Sequence, residues 1–198
     1  MPRVDRWMIY GAYGFTGSWI AREAVRRGLR PILAGRNASR LVPLADELNT
    51  EYRTFSLDEP NVVREALQDC RLVLNCAGPF SQTAQPMVMA CLETGTTYLD
   101  ITGEVDVLEW IAQLHESATR RNVTLIPGLG FDVVPTDTLA VLLKEAFPSA
   151  NLLQLALTGT GSLSVGTTRT IIEACQKGGR IRRNGQIVPV PLGWKKRR

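Results

Sequence analysis

The feature that most constrains this chain is the run Gly11-Ala12-Tyr13-Gly14-Phe15-Thr16-Gly17, a G-x-x-G-x-x-G spacing near the N-terminus. It follows a short apolar segment, Trp7-Met8-Ile9-Tyr10, that reads as a buried strand. It opens a segment, Phe15 to Arg27, in which Ile20, Ala21, Ala24 and Val25 share one face of a helix. A strand, a glycine loop and a helix in immediate succession make a specific geometric demand. The first glycine permits a tight turn at positive φ. The second removes a Cβ where the backbone must approach a ligand, and the third lets the helix pack close to the strand. The N–H groups at the helix start are then open to an anion. Phe15 and Thr16 belong to that first turn, and the Thr16 hydroxyl adds a donor. A glycine-rich turn with no ligand is the competing reading, and the strand–helix context weighs against it.

Beyond this loop, short apolar runs alternate with amphipathic segments. Strands are expected at 31–34, 52–57, 72–76, 97–101 and 123–126. Helices are expected from Asn37, a capping residue, to Leu48, then over 59–69, about 83–94 and 105–121. The continuous apolar run 72–76 suits a parallel strand covered on both faces. This β–α alternation predicts an α/β fold, a Rossmann-type doubly wound parallel sheet occupying residues 1–135. After Pro135 the rhythm changes. A helix through Leu139–Leu143, a strand over 152–158, a helix over 167–176 and a hairpin over 180–190 turning at Asn184-Gly185 are expected. Residues 136–198 are too few for an independent core and read as the beginning of an α+β substrate or dimerisation domain.

A dinucleotide is the ligand this pattern suits, and the end of the second strand selects between its forms. NAD-binding loops place Asp or Glu there for the ribose 2′-hydroxyl. This chain has Gly35-Arg36-Asn37, with Arg36 19 residues after Gly17. A guanidinium suits the 2′-phosphate of NADP, with NAD as the lesser alternative, and Arg40, in the first turn of the next helix, is placed to contribute to the same contact. Asp58, after the third strand, occupies an adenine-side position. Ala77 and Gly78, after the fourth strand, are small enough to lie beside the bound dinucleotide. Asp100 and Glu104 after the fifth strand, and Asp132 after the sixth, are candidates for the substrate side. Burial of one of them suits proton transfer. Capping is the alternative for all three, and the favoured reading of Asp106 and Asp137. His115, the single histidine, falls on a predicted helix surface, so no acyl-transfer triad can be assembled.

Composition narrows the remaining classes. With 44% hydrophobic and 21% charged residues the chain is globular rather than disordered. The net charge of +4 is concentrated in Arg180, Arg182, Arg183 and the terminal Lys195-Lys196-Arg197-Arg198. A solvated basic end is the simpler reading, and nothing else points to specific nucleic-acid binding. Cys70, Cys76, Cys91 and Cys175 form no Cys-x-x-Cys pair, so no metal site is expected. Scattered cysteines without a signal peptide or an apolar run of membrane-spanning length suggest a cytoplasmic protein.

Five motifs occur together: Gly-Ala-Tyr-Gly-Phe-Thr-Gly at 11–17, Ala-Gly-Arg at 34–36, Asn-Cys-Ala-Gly-Pro-Phe at 75–80, Tyr-Leu-Asp-Ile-Thr-Gly-Glu at 98–104, and Gly-Phe-Asp-x-x-Pro-Thr-Asp at 130–137. In this order they resemble the saccharopine dehydrogenase-like oxidoreductases, including the trans-acting enoyl reductase branch. The resemblance implies an NAD(P)-dependent oxidoreductase acting by hydride transfer on a small molecule, with a second α+β domain and a possible homodimer. Family chains continue past the point matching Trp194, so this chain reads as truncated. No catalytic residue is carried over. A non-catalytic dinucleotide-binding module, serving as redox sensor or scaffold, is the alternative function.

Overall fold

The computed structural model describes residues 6–131, 133–155, 168, 171–172, 175, 178–191 and 193–194. The chain divides into two compact units, 1–159 and 160–198. In the first, six parallel strands alternate with helices: β1 (Trp7–Tyr10), α1 (Phe15–Arg26), β2 (Ile32–Gly35), α2 (Ala38–Leu48), β3 (Tyr52–Thr54), α3 (Pro60–Leu67), β4 (Leu72–Asn75), α4 (Phe80–Thr94), β5 (Thr97–Asp100), α5 (Val105–Ala112), α6 (His115–Arg121), β6 (Leu125–Ile126) and α7 (Val134–Ala146). The strand order is β3-β2-β1-β4-β5-β6. The chain therefore runs outward from β1 in one direction, then returns to β4 and runs outward in the other. The β1/β4 boundary is the topological switch point, where a crevice opens beyond the carboxyl ends of the strands. This is the doubly wound sheet anticipated from the sequence.

The sheet is buried on both faces, and alternation along β1 shows it. Met8 and Tyr10 join a core with Val63, Val73, Met87, Val88 and Tyr98. Ile9 points the other way, into a core with Ala21, Leu33, Leu41 and Leu44 from β2 and the helices α1 and α2. Period-two alternation thus places neighbouring residues of one strand in separate cores.

Several boundaries differ from expectation for identifiable reasons. The helix after β4 begins at Phe80, not near Thr83. Its first turn is held from 24 residues away by the Glu104 carboxylate, which accepts from the Phe80 and Ser81 N–H groups at 2.8 Å each. Local sequence carries no sign of that cap. The single helix expected over 105–121 is two, α5 and α6. The Leu114 N–H donates to the Ile111 carbonyl, an i→i−3 bond that tightens the chain without any Gly or Pro to mark it. Asp106 and Asp137 are not N-caps. Glu104 and Val133 hold those positions, and both aspartates lie in the first turn, where a negative charge still favours the helix dipole. Asn37 does cap α2, its Oδ1 accepting from the Arg40 N–H at 3.3 Å. Residues 152–155 are not in a strand, and the rest of that expected strand lies outside the described residues.

In the second unit, β7 (Gly179–Arg183) and β8 (Gln186–Val190) pair antiparallel. Asn184 and Gly185 turn the hairpin with φ of 51° and 79°. Two central residues at positive φ match the right-handed twist of the strands, the property that favours Asn-Gly there. Of the helix expected over 167–176, residues 168, 171, 172 and 175 are helical and the others lie outside the described residues.

Candidate functional site

The crevice at the switch point is built first by what its glycines lack. Gly11 sits at φ +79°, and a Cβ there would meet the Ala77 backbone nitrogen at 2.8 Å and the Ala77 Cβ at 2.9 Å. The loops after β1 and β4 therefore touch across the switch point, and only a residue without a side chain fits between them. A Cβ on Gly17 would lie 2.4 Å from the Gly11 carbonyl oxygen and 3.1 Å from the Ala12 Cα. Helix α1 is thus drawn against the end of β1, as the third glycine of the motif predicts. Gly14 is the N-cap of α1 at φ −71°, and no side chain caps the helix. The first internal bond of α1 runs from the Ser18 N–H to the Gly14 carbonyl at 2.9 Å. The N–H groups of Phe15, Thr16 and Gly17 precede it and are available to an anion. By contrast, α2 and α4 open on the same sheet edge with their first turns already held by Asn37 and Glu104.

Beside this cradle, the ends of β1, β2 and β3 gather Arg36, Asp58 and Tyr10. Arg36 follows β2 directly and is exposed. Asp58 is exposed too, its carboxylate accepting from the Ser56 hydroxyl at 2.6 Å. Both charges act on Tyr10, whose hydroxyl donates to the Phe55 carbonyl at 3.2 Å. Burial, with Tyr13 and Asp58 adding to it and Arg36 opposing, pushes the Tyr10 phenol up to about 12. Its hydroxyl ties the end of β1 to the residue that follows β3. The Tyr13 ring lies over Gly35, where a Cβ would meet the ring at 2.5 Å, and the Arg40 guanidinium stands 4.9 Å from its centroid.

The wall on the other side is a hydrogen-bonded truss. Asn75 at the end of β4 accepts from the Ala77 N–H at 3.0 Å, and its amide donates to the Thr83 hydroxyl at 3.2 Å. Thr83 in turn donates to the Ala77 carbonyl at 2.5 Å. Ala77 is therefore held at the crevice by both of its flanking elements, and Gly78 follows it with a cis bond to Pro79.

Asp100 is wholly buried. Its carboxylate accepts from the Tyr98 hydroxyl at 2.7 Å, the Thr102 N–H at 3.0 Å and the Gly128 N–H at 2.8 Å. Burial raises its pKa, while those bonds pull it back. With three donors on it and no exposed surface, Asp100 ties the loop after β6 to the end of β5. Glu104, with both oxygens on the start of α4, does the same for the loops after β5 and β4. Asp100 and Glu104, the substrate-side candidates of the sequence, are both engaged in holding these loops together. Asp132 lies outside the described residues. His115 is exposed on α6, as expected. Among the described residues no group of His, Cys, Asp or Glu has the arrangement of a metal site. Cys70, Cys76, Cys91 and Cys175 are free thiols.

Tyr98, Thr83 and Tyr13 carry this architecture, and the sequence reading gave them no role. Tyr98 was nonetheless legible. It stands two residues before Asp100 in a strand, so both side chains share a face. The contacts of Thr83 and Tyr13 are made across elements, and no spacing announces them.

No helix among the described residues is long and apolar enough to cross a membrane. Residues 7–126 match the saccharopine dehydrogenase NADP-binding domain. A saccharopine dehydrogenase-like oxidoreductase of Arabidopsis thaliana is 33% identical over 147 residues, covering 66% of this chain and 32% of that protein. A Mycobacterium tuberculosis protein bearing the name trans-acting enoyl reductase is 29% identical over 153 residues, covering 73% of this chain and 36% of its own length. The chain thus spans about a third of these relatives. The apo saccharopine dehydrogenase (L-Glu forming) of Saccharomyces cerevisiae has the same fold, with a TM-score of 0.63 at 15% identity, over 72% of this chain and 31% of that one. With its matched region extending from the first strand through the sixth, the chain belongs to the saccharopine dehydrogenase family of oxidoreductases and carries that family's NADP-binding domain.

Proposed function

We propose that this chain supplies the cofactor site of an NADP(H)-dependent oxidoreductase that acts by hydride transfer on a small molecule. Its substrate would carry a C=C or C=N bond in a lipid-like or amino-acid-derived compound. The observation that carries the reading is the uncapped N-terminus of α1 at the β1/β4 switch point, drawn in by Gly11 and Gly17. When bound, the nicotinamide supplies or accepts the hydride, and the protein orients it. The N–H groups of Phe15, Thr16 and Gly17, with the Thr16 hydroxyl, hold the pyrophosphate. Gly14 leaves room for its approach. Arg36 pairs with the 2′-phosphate, Asp58 bounds the adenosine side, and Ala77 and Gly78 line the wall next to the nicotinamide half. Asp100 and Glu104 keep the substrate-side loops in register. A reducing, cytoplasmic setting suits the free thiols, of which burial pushes Cys76 up to about 12.

Calorimetric titration with NADPH and NADH tests the assignment. A charged hydrogen bond is worth roughly 1.5–3 kcal/mol, so Arg36→Ala should weaken NADPH about tenfold or more and leave NADH nearly unchanged. Equal affinities for the two cofactors in the unaltered protein would remove Arg36 from this role. The engagement of Asp100 and Glu104 in structural hydrogen bonds favours one second reading, a dinucleotide-binding module without turnover. NADPH oxidation across a panel of enoyl and imine substrates separates the two.

A further inference from the structure

Several arginines of the first unit are neutralised in place. Arg22 is clamped by Glu47, Arg53 by Asp69 and Arg64 by Glu93, all with N···O distances of 2.6–2.9 Å. Among the described residues, neither Arg36 nor Arg40 has a carboxylate partner. Both are exposed at the end of β2 and in the first turn of α2, within five residues of each other. Two exposed guanidinium groups that no carboxylate offsets, at the end of β2 and the start of α2, suit an anionic ligand.

Arg40 is also placed with care. Its backbone N–H is fixed by the Asn37 cap at 3.3 Å, and Ser39 donates to that same Asn37 oxygen at 2.7 Å. Its guanidinium stands over the Tyr13 ring, 4.9 Å from the centroid. That ring is seated on Gly35, where a Cβ would meet it at 2.5 Å. A contact through the ring face holds the cation without giving its N–H donors an oxygen acceptor. Three separate pieces of chain, the glycine loop, the end of β2 and the first turn of α2, thus cooperate to place the Arg40 cation.

We propose that Arg40, held by Tyr13, is the second half of the 2′-phosphate clamp, and that Tyr13 is a positioning residue for cofactor preference. The inference rests on the proposed role of Arg36 and deepens it. A phosphate monoester carries close to two negative charges near neutral pH, so two guanidinium groups match it where one does not. Tyr13 acts through Arg40 by the ring face, and its hydroxyl is not required.

The test is the ratio of NADPH to NADH dissociation constants, measured by calorimetry on the full chain for Arg36→Ala, Arg40→Ala, Tyr13→Phe, Tyr13→Leu and the Tyr13→Leu/Arg40→Ala double variant. Circular dichroism melts establish that each is folded. Arg40→Ala should weaken NADPH about tenfold with little change for NADH. Tyr13→Leu should weaken NADPH severalfold and NADH far less, while Tyr13→Phe keeps the original ratio. The double variant should be no weaker than Arg40→Ala, because Tyr13 has no route to the phosphate except through that arginine. Arg40→Ala weakening both cofactors alike, or neither, overturns the proposal, as does an additive double variant. If Arg36→Ala abolishes the preference and Arg40→Ala does not, the clamp fails and the Arg36 assignment stands. If neither substitution changes the ratio, both fail together. Should Tyr13→Leu not fold, Arg40→Lys decides. It keeps the charge but loses the planar fork, and should fall between Arg40→Ala and the original protein.

Discussion

Replacing Gly17 with alanine probes the contact on which the cofactor site depends. Alanine is the better helix former by about 1 kcal/mol, and Gly17 lies in the first turn of α1, so propensity alone predicts a gain. The structure predicts a loss. The new methyl would lie 2.4 Å from the Gly11 carbonyl oxygen, about 1 Å inside an ordinary contact, with the Ala12 Cα at 3.1 Å beyond it. Both neighbours are backbone, so no side-chain rotation relieves the overlap. Overpacking of this kind costs typically 1–3 kcal/mol, and a backbone clash belongs at the upper end. Less the helix gain, a net destabilisation of about 2 kcal/mol is expected. Relief requires α1 to move away from β1, which carries the N–H groups of Phe15, Thr16 and Gly17 out of place. NADPH affinity should therefore fall by more than stability explains. Urea unfolding followed by circular dichroism gives the first quantity, and calorimetry on the folded variant gives the second. Gly14→Ala is the comparison. Its Cβ would stand 3.1 Å from the Gly11 oxygen at an ordinary φ of −71°, so stability should change by less than about 1 kcal/mol while NADPH binding weakens. A Gly17→Ala protein as stable as the original and unchanged in NADPH affinity would refute the close approach of α1 to β1.

Two further outcomes follow from the hydrogen-bond geometry. Glu104→Gln retains one acceptor for the two N–H groups at the start of α4. It should cost about 1–2 kcal/mol in urea unfolding and speed hydrogen exchange at Phe80 and Ser81 relative to the rest of α4. In acid, Asp69 should contribute a measurable slope. Hydrogen bonding to Arg53, and to a lesser extent the charge of Arg6, holds its carboxyl at about 2, below its ordinary 3.8. A depressed carboxylate stabilises the fold above pH 4 and loses that contribution as pH falls from about 4 through 2. Its side chain is 47% exposed, so solvent screening keeps the effect under about 1 kcal/mol. Comparing urea midpoints of Asp69→Asn and the original protein at pH 5 and pH 2.5 should show the difference shrinking at the lower pH.

What the sequence determined by itself is the part of the protein governed by short-range rules. Glycine spacing set the turn after β1, because only residues without Cβ tolerate positive φ and backbone contact there. Short apolar runs and the 3.6-residue period placed the strands and most helices. Asn37 marked its own cap, and Asn184-Gly185 marked its own hairpin, because in both cases the groups that bond lie within a few residues. The absence of an acid at position 36 was equally local. Tertiary structure decided the rest, wherever the partner is far along the chain. Glu104 was a substrate-side or capping candidate with no visible partner until its carboxylate was seen to hold the first turn of α4, 24 residues earlier in the chain. Asp100 looked like a candidate acid until Tyr98, Thr102 and Gly128 converged on its oxygens. The break between α5 and α6 has no Gly or Pro to announce it. Tyr13, one unremarked letter inside the glycine motif, acquires its place only where the β2 end and the first turn of α2 fold against it. A sequence records which groups need partners, and only the folded chain brings the distant ones within reach.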